Sequence, residues 1–395
     1  MSISSRVQML RRISIDTPAV LSSERAELVT RFYQQQQDLI SAPVFRALVF
    51  KYLMENKTIC IYDGELIVGE KGPEPKAAPT YPELCCHSIK DLNLLNDREK
   101  IPFRVEPRDL QIYTEQIIPF WKGRSMRELI FRQMDPEWIA AYEAGIFTEF
   151  MEQRAPGHTV LDEKIYRKGM LDFIADIDVA INGLDYLGDP YAYDRLEELT
   201  GMRICAKAII RFAERHADLA DQLAISEINP LRKFELNRIA SICRWVPAHA
   251  PRDLWEALQY YWFVHLGVTT ELNTWDSFSP GRLDQHLEPF YLQGIKNGTL
   301  TRSEAEELLQ CFWIKFNNQP APPKVGVTAA ESGTYTDFAQ INIGGLKADG
   351  SDGVNEVSYL LLDVVEEMRL LQPSASIQIS KKNPDQFINS SLDKK

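Results

Sequence analysis

Apolar residues recur at helical spacing through the first two thirds of the chain. In "DPEWIAAYEAG" (135–145), Asp135 stands as N-cap, Pro136 at the first helical position and Gly145 as a stop signal. "PRDLWEALQYYWFVHLG" (251–267) sets Leu254, Leu258, Tyr261 and His265 on one stripe. "TRSEAEELLQCFWIKF" (301–316) opens with a capping box from Thr301 to Glu304. Ala305, Leu308, Leu309, Phe312, Trp313 and Phe316 then keep the helical period.

Alternating or short continuous apolar runs are fewer. "TICIYDGELIVG" (58–69) predicts a hairpin about Asp63-Gly64. "KVGVT" (324–328), "AQINIGGL" (339–346) and "SASIQIS" (374–380) predict strands, with a helical pattern over 354–370 between the last two. Strand–helix–strand order implies an α/β layer in the C-terminal third. The final stretch, "NPDQFINSSLDKK", begins a helix with Asn383 as N-cap and Pro384 at N1. A strand and a helix there lack pairing partners, so the expectation is a chain truncated within a larger fold, with a frayed polar tail as the alternative.

Composition narrows the function. The 395 residues are 45% hydrophobic and 25% charged, an ordinary globular balance, with a formal net charge of −12. Such a charge opposes tracking of a phosphate backbone, so no nucleic-acid partner is expected and a small-molecule substrate is. Cys60, Cys85, Cys86, Cys205, Cys243 and Cys311 are scattered, which argues against a disulfide framework. "MSISSRVQMLRRISIDTPAV" (1–20) has no signal-type apolar region, and no run is long enough for a membrane span. The expectation is a cytoplasmic protein with no membrane partner.

Three stretches carry candidate chemistry. "YPELCCHS" (81–88) puts Cys85, Cys86 and His87 side by side, too compact for a four-ligand zinc site, and packing outweighs metal binding. "FMEQRAPGHTV" (150–160) holds His158 on a Pro-Gly turn near Arg154 and Glu152, either a proton-transfer group or a structural histidine. "TTELNTWDSFSPGRLDQHLEPF" (269–290) sets Glu271, Asp276 and Asp284 among Trp275, Phe278 and Phe290. A carboxylate against aromatic walls suits proton transfer; Asp284, beside Arg282, reads as structural. "ESGTYTDFAQINIGG" (331–345) places a Ser/Thr-rich loop before a strand, where it can line a pocket.

Taken together, "APTYPELCCHS", "FTEFMEQRAPGHT", "TTELNTWDSFSPGRLDQHL", "KFNNQPAPPKVG" and "VNEVSYLLLDVVEEM" resemble the pyruvate formate-lyase-like glycyl radical enzymes. The likeness runs over essentially the whole chain and is nearest to the hydroxyproline-dehydrating branch. It implies an α/β fold: a ten-strand barrel of two half-barrels wrapped by helices. Residues 1–395 would form the N-terminal part of that domain, one half-barrel. The resemblance implies loss of water from trans-4-hydroxy-L-proline to give 1-pyrroline-5-carboxylate. His158 and Asp276 match polar active-site positions that hold substrate and manage protons. Ser332 and Phe338 match positions lining the substrate pocket. The implied cofactor is a glycyl radical, installed by an activating enzyme that uses S-adenosylmethionine and an iron–sulfur cluster; no metal is expected on this chain.

The family's "GCVE"-type cysteine loop and "RVxGY"-type glycine loop are both absent from the sequence, so the chain alone is expected to be inactive. Expected partners are an amino-acid substrate and the activating enzyme, with a homodimer as a candidate assembly. Two other readings stand beside this one. One is a formate C-acetyltransferase of the pyruvate formate-lyase type; the other is a non-catalytic truncated or split-enzyme subunit.

Overall fold

The computed structural model describes residues 3–36, 39–147, 161–272, 279–331, 333 and 339–393. Helices dominate. The 35-residue helix Ala192–Ser226 packs along Ala42–Asn56, Met170–Asn182 and Pro230–Trp245. At the centre runs the helix Leu254–Leu272, buried on nearly every side, with Tyr260, Tyr261, Trp262, Phe263 and Leu266 at 1% exposure or less. A helix apolar all round belongs inside a core. Against it lies Arg302–Asn317, with Trp262 and Phe316 rings 5.2 Å apart. No helix among the described residues is long and apolar enough to cross a membrane.

Caps fall where the sequence places them. Thr301 and Glu304 form the expected capping box, and Asp135 precedes Pro136–Glu143 with Gly145 beyond it at φ +71°. The last helix differs: it runs Asp385–Asp393, one residue later than expected, and Asn383 does not cap it but accepts from Ser380 N and donates to Gly345 O, at 2.6 and 2.7 Å.

Among the described residues, strands come in two parallel pairs. β1 (Val20–Ser22) lies beside β2 (Ala77–Pro79), and β3 (Gln340–Gly344) beside β4 (Ser374–Gln378). In the second pair Ile341 stands opposite Ala375, and the helix Glu356–Met368 makes the crossover that parallel strands require. The α/β layer predicted for the C-terminal third is therefore present.

The hairpin over 58–69 and the strand over 324–328 are not. The turn at Asp63-Gly64 forms, with Gly64 at φ +78°, but its arms do not pair with each other. Side chains of the neighbouring helices take their backbone groups instead. Gln259 accepts from Val68 N at 2.9 Å and donates to Val68 O at 2.9 Å. The Trp255 and Trp262 indoles donate to Leu66 O and Gly69 O, at 2.8 and 2.9 Å. "KVGVT" is not a strand either: the chain is extended to Val325, then Gly326 turns it into a short helix, Gly326–Glu331.

Buried charge crosses this core. Lys315 Nζ donates to Glu65 and Glu70 at 2.8 and 2.5 Å, and Asn318 and Gln319 donate to Glu70 at 3.2 and 2.9 Å. Burial pushes the Glu70 carboxyl upward and Lys315 opposes it. The two acids hold the Lys315 ammonium charged despite its complete burial.

Candidate functional site

His158, Asp276, Ser332 and Phe338 lie outside the described residues, in the segments 148–160, 273–278, 332 and 334–338. Described elements flank each of those segments. These anchors are bonded to one another.

The helix Pro136–Glu143 leads toward 148–160. Its Tyr142 ring lies 5.9 Å from Phe147 and 4.9 Å from Phe131. The Tyr142 hydroxyl accepts from Arg127 at 2.9 Å and from Val327 N at 3.0 Å. Val327 is the second residue of the helix Gly326–Glu331, whose Gly326 N donates to Asp91 at 2.9 Å. Arg98 donates to Ala329 O at 2.8 Å in the same helix. The way into the His158 segment is thus tied to the way into the Ser332 segment.

On leaving 148–160, Leu161 and Asp162 both take left-handed backbone, at φ +58° and +43°. Non-glycine residues rarely adopt that region, and they persist there only when surroundings hold them. Asp162 Oδ1 lies 3.0 Å from His286 Nε2, and Tyr166 stacks on the same imidazole at 5.2 Å. Burial lowers the His286 pKa and Asp162 opposes this. His286 sits on the helix Leu283–Asn297, which follows the exit of 273–278.

That exit is bonded to β3. Ser279 Oγ accepts from Gln340 N at 3.1 Å, and Gly281 O accepts from Asn342 N at 3.0 Å. Asp284 locks the junction, accepting from Gly344 N at 2.7 Å and from the Ser358 hydroxyl at 2.6 Å. Its structural reading holds, through these donors; Arg282 instead donates to Leu346 O at 2.5 Å. Glu271, at the start of this stretch, pairs with Arg46 at 2.6 Å.

A cavity of about 770 Å³ opens between the helices Ala42–Asn56, Met170–Asn182, Ala192–Ser226 and Leu254–Leu272. Its lining is mainly apolar, with Phe50, Phe173, Met202 and Val268. Leu161 and Leu272, which border the first two segments, also line it.

"YPELCCHS" resolves as packing. Cys85 is 2% exposed and clusters with Tyr81, Leu84 and Val325, while burial pushes the Cys86 thiol up to about 12. His87 Nε2 lies 3.2 Å from Pro323 O, and burial lowers its pKa. Among the described residues no group of three His, Cys, Asp or Glu could hold a metal ion. Sequence reasoning missed Arg25 and Tyr142, because their contacts join residues far apart in the chain.

Residues 3–393 match the model of the pyruvate formate lyase-like family. The chain belongs to that family, and its relatives are glycyl radical dehydratases and lyases. It is 54% identical over 383 residues to the trans-4-hydroxy-L-proline dehydratase of Clostridioides difficile, covering 97% of this chain and 48% of the relative. The crystal structure of a hydroxyproline dehydratase from that organism, with trans-4-hydroxy-L-proline bound, superposes with a TM-score of 0.95 at 53% identity. That match covers 100% of this chain and 50% of the other. The glycerol-bound B12-independent glycerol dehydratase of Clostridium butyricum gives a TM-score of 0.89 at 28% identity, covering 99% of this chain and 49% of its own. The chain spans about half the length of the curated relatives it matches.

Proposed function

We propose that this chain supplies the substrate-holding half of a glycyl radical dehydratase that removes water from trans-4-hydroxy-L-proline to give 1-pyrroline-5-carboxylate. The observation that carries the reading is 54% identity to the Clostridioides difficile dehydratase across 97% of the chain. The anchors described above support it, because they tie together the three stretches that hold His158, Asp276, Ser332 and Phe338.

The chemistry asks for such a group of residues. A departing hydroxide needs a proton at its oxygen, and a zwitterionic amino acid needs fixed polar partners in a water-poor pocket. In this proposal His158 and Asp276 hold the substrate and move that proton, and Ser332 and Phe338 shape the pocket around it. The net reaction is loss of one water.

A glycyl radical, installed by an activating enzyme using S-adenosylmethionine and an iron–sulfur cluster, would supply hydrogen-atom abstraction through a partner thiol. The cysteines of this chain do not fit that thiol's place. Cys85, Cys243 and Cys311 are 2–3% exposed in packed surroundings. None stands in the expected cysteine-loop motif.

The test is substitution in this chain joined to the C-terminal half of the Clostridioides difficile relative and activated to the glycyl radical. His158→Asn and Asp276→Asn should each lower kcat for hydroxyproline by about 10²- to 10⁴-fold, the usual contribution of a positioned acid or base. Unchanged kcat in both would remove the proposed roles.

A further inference from the structure

The stretch 80–88 touches the anchors of all three segments, and Arg25 lies buried at its centre, 6% exposed. Arg25 Nε donates to Thr270 O at 2.7 Å and Nη1 to Thr80 O at 3.2 Å. Nη1 and Nη2 also reach the Glu83 carboxylate, at 3.2 and 2.6 Å, and the guanidinium lies 3.8 Å over the Tyr81 ring. Tyr81 Oη donates to Thr269 O at 2.5 Å. Thr269 and Thr270 belong to the last turn of Leu254–Leu272, where carbonyls have no partner within the helix.

The same stretch reaches the other anchors through its backbone. Glu83 O accepts from Met126 N at 3.0 Å and Leu84 O from Arg127 N at 2.9 Å, which fixes the helix whose Arg127 holds Tyr142. His87 meets Pro323 O, three residues before Gly326. Ser88 caps the helix whose Asp91 accepts from Gly326 N.

We infer that Arg25, Tyr81 and Glu83 are positioning residues: with the 80–88 backbone they set the three anchors in one register. Their bearing on substrate rests on the function proposed above. A buried ion pair adds little stability over an apolar pair of similar volume, so its use here is geometric. Only a guanidinium serves two carbonyls and a carboxylate from one fork.

The experiment is hydrogen exchange on the full chain, comparing the parent with Arg25→Met/Glu83→Leu and Arg25→Lys. Positioning predicts, for the double variant, a Tm within a few degrees of the parent and at least ~10-fold faster exchange at amides 268–272 and 327–331. Amides of Ala192–Ser226 should stay within about twofold, and Arg25→Lys should restore part of the protection. Unchanged local exchange, or a uniform rise throughout, would overturn the inference. If the double variant does not fold, Tyr81→Phe carries the same local readout, with about threefold or more expected at 268–272. Calorimetry of trans-4-hydroxy-L-proline with this chain joined to the C-terminal half of the Clostridioides difficile relative separates the two readings. A local exchange change without hydroxyproline binding would keep the positioning role and refute the substrate.

Discussion

Gly326 occupies φ +58°, and a Cβ there would come within 2.4 Å of the Tyr142 hydroxyl. Both the left-handed backbone and the close approach call for glycine. Gly326→Ala should therefore lower unfolding stability by about 1–3 kcal/mol, read from urea midpoints. His216 and His265 show a different dependence. Each is fully buried, and burial pushes each pKa from 6.5 down to about 3. His216 Nδ1 donates to Phe212 O at 2.9 Å, a bond that opposes this fall without reversing it. The unfolded chain binds the proton more readily than the folded one between these values. The stability held by the neutral rings is complete above about pH 6.5 and is lost as pH falls toward 3. Each unit in that window costs about 1.4 kcal/mol per histidine. Urea midpoints at pH 7 and pH 4.5 should differ accordingly, and His216→Leu should flatten part of the difference.

At the scale of elements, what could be read from the sequence was what depends on neighbours in the chain. The Thr301–Glu304 capping box and the Asp135-Pro136 start are local signals, and both helices begin there. β3, Glu356–Met368 and β4 announced themselves by a change of period from two to 3.6 and back. The 58–69 hairpin failed because its partners are not in its own sequence. Gln259, about 190 positions away, satisfies both backbone groups of Val68, so the arms have no need of each other. Gln259→Leu should cost about 1–3 kcal/mol in equilibrium unfolding, since it strands a buried N–H and a carbonyl together. The stripe assigned to Leu254, Leu258, Tyr261 and His265 was similarly partial, since nearly all faces of that helix are covered. Periodicity marks one face; it does not reveal how many neighbours arrive.

For the molecule as a whole, the candidate site was legible only through resemblance. His158, Asp276, Ser332 and Phe338 came from matched motifs, since a histidine on a turn or an aspartate among aromatics has structural uses as well. What joins their neighbourhoods could not be read at all. Tyr142 to Val327, Asp162 to His286, Ser279 to Gln340 and Arg25 to Thr270 each span 61 to 245 positions. Contacts at such separations follow from the packed fold. The Lys315–Glu65–Glu70 cluster works at the same scale, linking residues 245 to 250 positions apart inside the core. The central claim, that this framework holds hydroxyproline for dehydration, has a direct test. This chain is joined to the C-terminal half of the Clostridioides difficile relative, activated until electron paramagnetic resonance shows a glycyl radical, and supplied separately with trans-4-hydroxy-L-proline and with pyruvate plus coenzyme A. The account predicts 1-pyrroline-5-carboxylate from the first and no acetyl-coenzyme A from the second. Acetyl-coenzyme A, or a radical-bearing enzyme that leaves hydroxyproline untouched, would contradict it.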